Sequence, residues 1–155
     1  MQFWKRFRTF KQRGEWVELR FMAEVAEHGF GVLKPWGDSL AYDVGVDHGS
    51  RFVRVQVKST TVRTGTGYFC QFKPHYLKKK DYTLKQVDLF AAYVIPVDAW
   101  YLIPASVILG PQRKTGIMLF PMVPLKKNRY RYECYKEAWG LLAKTKRELS
   151  RRRQI

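Results

Sequence analysis

The chain has 155 residues, 46% of them hydrophobic, enough to bury a core and too few to favour two domains. Its 29 Lys and Arg against 13 Asp and Glu give a formal net charge of +16, which disfavours a metabolic enzyme acting alone on neutral substrates and points to a polyanion or an acidic surface as partner. No run of about 18 apolar residues occurs, so a membrane span is not expected, and two cysteines, Cys70 and Cys134, are too few for a disulfide framework or zinc site and fit a reducing compartment.

Residues 1–13 hold Lys5, Arg6, Arg8, Lys11 and Arg13 and no acid. They read either as an arm that touches phosphates or as a solvated helix face whose aromatic side, Phe3, Trp4, Phe7 and Phe10, packs inward. No apolar run or small-residue cleavage site follows, so a secretory signal is not expected. The Glu-, Leu-, Met- and Ala-rich stretch Glu15 to His28 predicts a helix, preceded by Gly14 and capped by Gly29. Met22 and Val25 form its inward stripe, with Trp16, Leu19 and Ala26 close by, and Glu18 at the border of that stripe.

A strand is expected near Gly31 to Lys34, ended by Pro35. Tyr42 to Asp47 and Arg51 to Lys58 read as a hairpin turned by His48, Gly49 and Ser50. The period is two: Val53, Val55 and Val57 point one way, and Phe52, Arg54, Gln56 and Lys58 the other. Asp43 joins the second set if the valine faces of both arms meet the helix. A polar loop, Thr60 to Gly67, precedes a strand at Tyr68 to Lys73. Tyr68, Phe69, Phe72 and Tyr76 suit either core packing or stacking on bases. Pro74 to Lys85 reads as a loop or short helix carrying Lys78, Lys79 and Lys80. Val87 to Ile95 has the apolar run of a central strand, followed by a turn at Asp98 and Ala99, a strand at Trp100 to Ile103 and a helical turn at Ala105 to Ile108. An edge strand at Gly116 to Pro124, a basic connector at Lys126 to Arg131, a helix from Cys134 to Leu149 and a solvated basic end at Arg151 to Arg153 complete the chain.

Asp43, Gln56 and Lys58, with Glu18 from the helix, have the chemistry of a divalent-cation site. Carboxylate and amide oxygens suit magnesium or manganese. An adjacent ammonium could orient a water and offset charge on a phosphate. Spacing alone leaves open that these are ordinary surface polar residues.

The order Gly14 to Glu18, Pro35, Tyr42-Asp43 and Arg54-Val55-Gln56-Val57-Lys58-Ser59-Thr60 resembles the PD-(D/E)XK nuclease superfamily. It is most similar to the branch of group I intron-encoded homing endonucleases and, more distantly, archaeal Holliday junction resolvases. Val87 to Tyr93 followed by Trp100 to Pro104 resembles the same branch, so the likeness spans Gly14 to Ile108. It implies that Asp43 is the metal-binding aspartate, Gln56 the acidic position of the acidic-x-Lys motif, Lys58 its lysine and Glu18 the glutamate of the first helix. Gln56 departs from the pattern by one negative charge. The branch tolerates glutamine there, so cleavage is not excluded, but an inactive descendant that keeps DNA binding stays open. Ala41-Tyr42 stands where a proline often precedes the aspartate.

The resulting expectation is an α/β, restriction-endonuclease-like mixed β-sheet flanked by helices. It forms one domain over residues 1–155, with a basic arm at 1–13 and a basic helix and tail at 134–155. The activity implied is a magnesium-dependent DNA endonuclease (manganese also serving) of homing or junction-resolving type. Catalysis falls to Glu18, Asp43, Gln56 and Lys58, with Glu18, Asp43 and Gln56 holding the ion. Lys34, Arg54, Arg63, Lys78, Lys79 and Lys80 are expected against nucleic acid. Double-stranded or branched DNA is the substrate, a homodimer or larger homo-oligomer the assembly, with no membrane partner, and the cytoplasm or nucleoid the location. The alternative is a non-catalytic basic DNA- or RNA-binding protein on the same fold.

Overall fold

The structure, a computed structural model, describes residues 2–74, 81–124, 130–144 and 146–150. The expected basic contacts at Lys78, Lys79 and Lys80, with His75 and Tyr76, lie outside the described residues. So do the connector residues 126–129 and the basic end 151–153.

A short 3-10 turn over Phe3–Arg6 precedes α1, Phe10–Glu27. The helix therefore starts five residues before the expected Glu15, and Gly14 lies inside it. Its start is set by Thr9, whose hydroxyl accepts from the Gln12 amide at 3.0 Å, while the Gln12 side chain accepts from the Arg8 amide at 2.9 Å. These bonds satisfy donors that a helix start otherwise leaves orphaned. A Cβ at Gly14 would meet nothing within 4 Å, so the glycine costs helix propensity, about 1 kcal/mol, and no packing. The buried stripe is Val17, Phe21 and Val25, spaced at one turn, in place of the Met22–Val25 stripe; Leu19 is 62% exposed. Trp16 and Met22 pack against the core only in part. Gly29, at φ +81°, ends the helix as expected, and His28 stacks on Trp139 with ring centroids 4.6 Å apart.

The hairpin forms β2, Val44–Asp47, and β3, Phe52–Thr60, in antiparallel register with Val44 opposite Val55 and Val46 opposite Val53. Asp47 accepts from the Gly49 amide at 2.8 Å across the turn. The two valine sets share one buried face beneath α1. β1, Gly31–Leu33, flanks β2, and β6, Leu89–Val94, pairs with β3 in parallel. β7, Ala99–Pro104, closes the five-stranded mixed sheet in the order β1-β2-β3-β6-β7. β6 is buried throughout, as its apolar run requires. Its α1 side meets Trp16 through Tyr93, and Phe21 packs on Trp100 of β7. On its other side Phe90 packs edge-on against Phe72 and Tyr82.

A second, three-stranded sheet orders β4, Arg63–Thr64, beside β5, Gly67–Gln71, and β8, Gly116–Leu119. The stretch expected as a loop up to Gly67 thus contains a two-residue strand. Tyr68 and Phe72 are buried, as core packing requires, and Phe69 is partly exposed. The helical turn after Pro104 is α2, Ala105–Leu109.

The helix expected over Cys134 to Leu149 is not formed. In its place are 3-10 turns at Glu133–Tyr135 and Trp139–Ala143 and a separate α3, Lys146–Ser150. Long-range bonds outcompete helix geometry here. Glu133 is buried and accepts from the Tyr101 hydroxyl and the Phe120 amide, each at 2.7 Å. Glu137, at φ +50°, accepts from the Trp100 amide at 2.7 Å, and its own amide donates to the Trp100 carbonyl at 2.8 Å. Glu133→Ala should leave a buried hydroxyl and amide unsatisfied and lower stability by about 2 kcal/mol. Urea unfolding measures this; an unchanged midpoint would remove Glu133 from the account of why this segment is not helical.

Candidate active site

The site forms where β2 parts from β3. Asp43 precedes β2, and its amide still donates to the Val55 carbonyl at 2.9 Å, which fixes the carboxylate over β3. Asp43 Oδ2 accepts from Gln56 Nε2 at 2.6 Å and from the Val57 amide at 2.9 Å. Gln56 is itself buried. The period of two puts Lys58 on the same face, one residue pair along. Its ammonium donates to the Tyr82 hydroxyl at 2.8 Å and the Lys73 carbonyl at 3.3 Å, and lies 5.1 Å from the Tyr82 ring centroid. The residues that enter and leave the 74–81 connection therefore anchor the lysine from two sides.

Glu18 reaches the site from α1 through Lys34. The Lys34 ammonium donates to Glu18 Oε2 and, at 3.0 Å, to the Asp43 carbonyl. Lys34 thus lies within the cluster, nearer to it than the phosphate contact expected from sequence. Burial, and then the negative charge of Glu18, push the Asp43 carboxyl up to about 6; the Val57 hydrogen bond, Lys58 and Lys34 oppose this. Two ammonium groups therefore leave the carboxylate under-compensated. Nearby, burial pushes the Cys70 thiol up to about 12, so it is inert as a nucleophile at neutral pH.

The oxygens gathered here are the carboxylates of Asp43 and Glu18 and the backbone carbonyl of Val57; Gln56 turns its Nε2 toward Asp43 and, at 3.4 Å, toward that carbonyl, so its amide oxygen would join them only with the amide turned over. That set suits a hard divalent cation, and a carboxyl held above its ordinary range by burial and then by the charge of Glu18 is one whose ionised form such an ion would favour. Among the described residues no group of three or more His, Cys, Asp or Glu stands ready for a metal.

Of the other expected phosphate contacts, Arg54 is held by Asp88. Its Nε and Nη2 donate to the carboxylate at 2.9 and 3.0 Å, and its backbone amide at 2.9 Å. Its remaining guanidinium nitrogen donates to the Lys85 carbonyl. Asp88 flanks β6 and does not join the oxygen cluster. Arg63 is exposed, and its Nε donates to the Gly65 carbonyl at 3.2 Å. The residues that sequence reasoning missed are Tyr82, which orients Lys58, and Lys34 as a member of the cluster. No local signal marks Tyr82, because it acts across the whole 74–81 connection.

The structure thus has a mixed sheet with one helix on its valine face, and an Asp and a Gln-x-Lys pair where two strands part. Residues 8–139 match the PD-(D/E)XK endonuclease family, and the chain belongs to that family. Among solved structures it is similar to a bacterial homing endonuclease, I-Ssp6803I, at 26% identity and a TM-score of 0.70, over 87% of this chain and 92% of that one. No curated protein matches it. Among the described residues no helix is long and apolar enough to cross a membrane.

Proposed function

We propose that this chain is one nuclease domain that hydrolyses phosphodiester bonds of double-stranded or branched DNA with magnesium, or manganese, as cofactor. The observation that carries the reading is the link from Asp43 to Gln56 and the Val57 amide, with Lys58 on the same face. Glu18, Asp43 and the Gln56 oxygen would hold the ion, which when bound polarises a phosphate and lowers the pKa of a water. Lys58, pinned by Tyr82, holds its positive charge where charge builds on the scissile phosphate. Asp43 must be ionised to serve. Lys34, which donates to Glu18 and to the Asp43 carbonyl, keeps Glu18 beside Asp43. The likeness to a homing endonuclease supports that type of activity. A single cluster per chain favours a homodimer or larger homo-oligomer for double-strand cleavage, and a DNA substrate favours the cytoplasm or nucleoid. The neutral Gln56 favours a second reading, a DNA- or RNA-binding protein that no longer cuts.

Incubation with supercoiled, linear and branched DNA in magnesium, manganese or chelator separates the two. Nicking that requires the metal is the expected result. Retention of DNA without cleavage under any of these conditions would establish the binding protein instead.

The Asp43 environment makes a further prediction. Its folded-state value, about 6, lies above the ordinary 3.8. Between those values the folded protein binds more protons than the unfolded chain, so without metal this group's contribution weakens as pH rises. In chelator, Asp43→Asn should therefore raise Tm near pH 7.5 more than near pH 5. In the wild type magnesium should raise Tm more near pH 7.5, because the ionised carboxylate binds it. Equal shifts at both pH values would remove Asp43 as the metal-linked group.

A further inference from the structure

A cavity of about 390 Å³ opens at the carboxyl end of β3, with Trp4, Lys5, Arg13, Thr61, Arg63 and Tyr68 in its lining. Three of these are cations, and no carboxylate lines it. Arg13 is half-buried. Its Nη1 lies 3.5 Å from the Thr61 hydroxyl and its guanidinium carbon 5.1 Å from the Phe10 ring centroid. No carboxylate pairs with it among the described residues. A guanidinium taken partly out of water without a counter-charge is unfavourable, and burial lowers its pKa accordingly. Among the other half-buried arginines, Arg54 pairs with Asp88 and Arg20 with Asp98, whereas Arg51, like Arg13, has no ion pair among the described residues. Arg13 differs from Arg51 in lining an open cavity with two further cations, where an external anion fits.

Two independent landmarks fix where the cavity lies. Arg13 stands five residues before Glu18 on α1, about 7.5 Å along the helix axis. Thr61 stands three residues past Lys58 at the end of β3, about 10 Å along the strand. Both displacements run toward the same end of the sheet. With phosphates spaced about 3.4 Å along the axis of each strand, axial offsets of this size correspond to a few nucleotides.

We propose that this cavity is a second anion site that takes a backbone phosphate of the DNA strand lying across Lys58, held by Arg13 and Arg63 with Lys5 at the rim. This rests on the nucleic-acid reading above and adds a site separate from the oxygen cluster. Arginine suits it, because its fork of N–H groups pairs with two phosphate oxygens at once.

The test is binding of the full chain to a short duplex DNA in chelator, by fluorescence anisotropy over a series of salt concentrations. Arg13→Gln combined with Arg63→Gln should weaken binding about tenfold and reduce the slope of log K against log salt by about 1. Calorimetric manganese binding should be unchanged, because Glu18 and Asp43 are untouched. Arg63→Gln alone, at an exposed side chain, should weaken binding about threefold and reduce the slope by less than about 1; this arm stands even if the Arg13 variant is unstable. Wild-type slope and affinity in both variants would overturn the site, whether or not the protein cleaves. Wild-type protein that binds no DNA would overturn the nucleic-acid reading together with it. A loss on duplex RNA with DNA binding intact would assign the cavity to another polyanion and overturn the proposal.

Discussion

Lys58→Ala is expected to slow magnesium-dependent cleavage by about 10²–10³-fold, roughly 3–4 kcal/mol of transition-state stabilisation, the size seen when one preorganised charge or donor is removed from a reacting oxyanion. Asp43→Asn should cost at least as much, because it removes the carboxylate that Gln56 and the Val57 amide orient. DNA affinity in chelator should change little in either variant, since one cation among 29 Lys and Arg contributes one phosphate contact at most. Lys58→Arg should not restore the rate. The Tyr82 hydroxyl and Lys73 carbonyl fit a compact ammonium, whereas a planar guanidinium carries its charge in a fixed fork. Single-turnover kinetics on a nicked product distinguish these effects from slower release. Cleavage at the wild-type rate by Lys58→Ala and Asp43→Asn together would end the nuclease assignment.

Asp88→Ala is expected to be the most destabilising single change in the fold, at about 3–5 kcal/mol, the range for breaking a buried ion pair from one side. The Asp88 side chain is 3% exposed and that of Arg54 20%, and the carboxylate also accepts from the Arg54 amide. Its loss strands a charge and a backbone donor beside the parallel β3–β6 pair. For a chain of this size the change should lower Tm by about 10 °C. Replacing both partners with apolar residues should cost far less. Equilibrium unfolding of the single and double variants gives the comparison, and a loss below about 1 kcal/mol for Asp88→Ala would show the pair to be solvated.

The hairpin was legible because its period-two pattern leaves one solution: once Val44, Val46, Val53 and Val55 share a buried face, Asp43, Gln56 and Lys58 share the other. β6 was legible because only a strand covered on both sides is apolar throughout. The start of α1 was equally present, in Thr9 and Gln12, but Gly14 was given the weight of a breaker. A mid-helix glycine whose added Cβ would meet nothing lacks that weight when a capping pair precedes it. The stripe followed Met22 because Phe21 and Val17 differ from it only in facing, which depends on the turn where the helix begins. The C-terminal helix failed for a different reason. Glu133 and Glu137 read locally as helix formers, but their carboxylates serve Tyr101, Phe120 and Trp100, far away in sequence. Lys34 and Tyr82 were hidden in the same way.

The hold of Glu137 on Trp100 has a consequence for the margin of the five-stranded sheet. Trp100 spends both its backbone groups on that residue, and Pro104, at the end of the same strand, brings no N–H. The outer margin of β7 therefore offers an incoming strand little to zip onto, which guards the molecule against ribbon-like stacking. The opposite margin, β1, is three residues long. At both margins of the five-stranded sheet a second chain would therefore meet side chains more readily than an open backbone ladder.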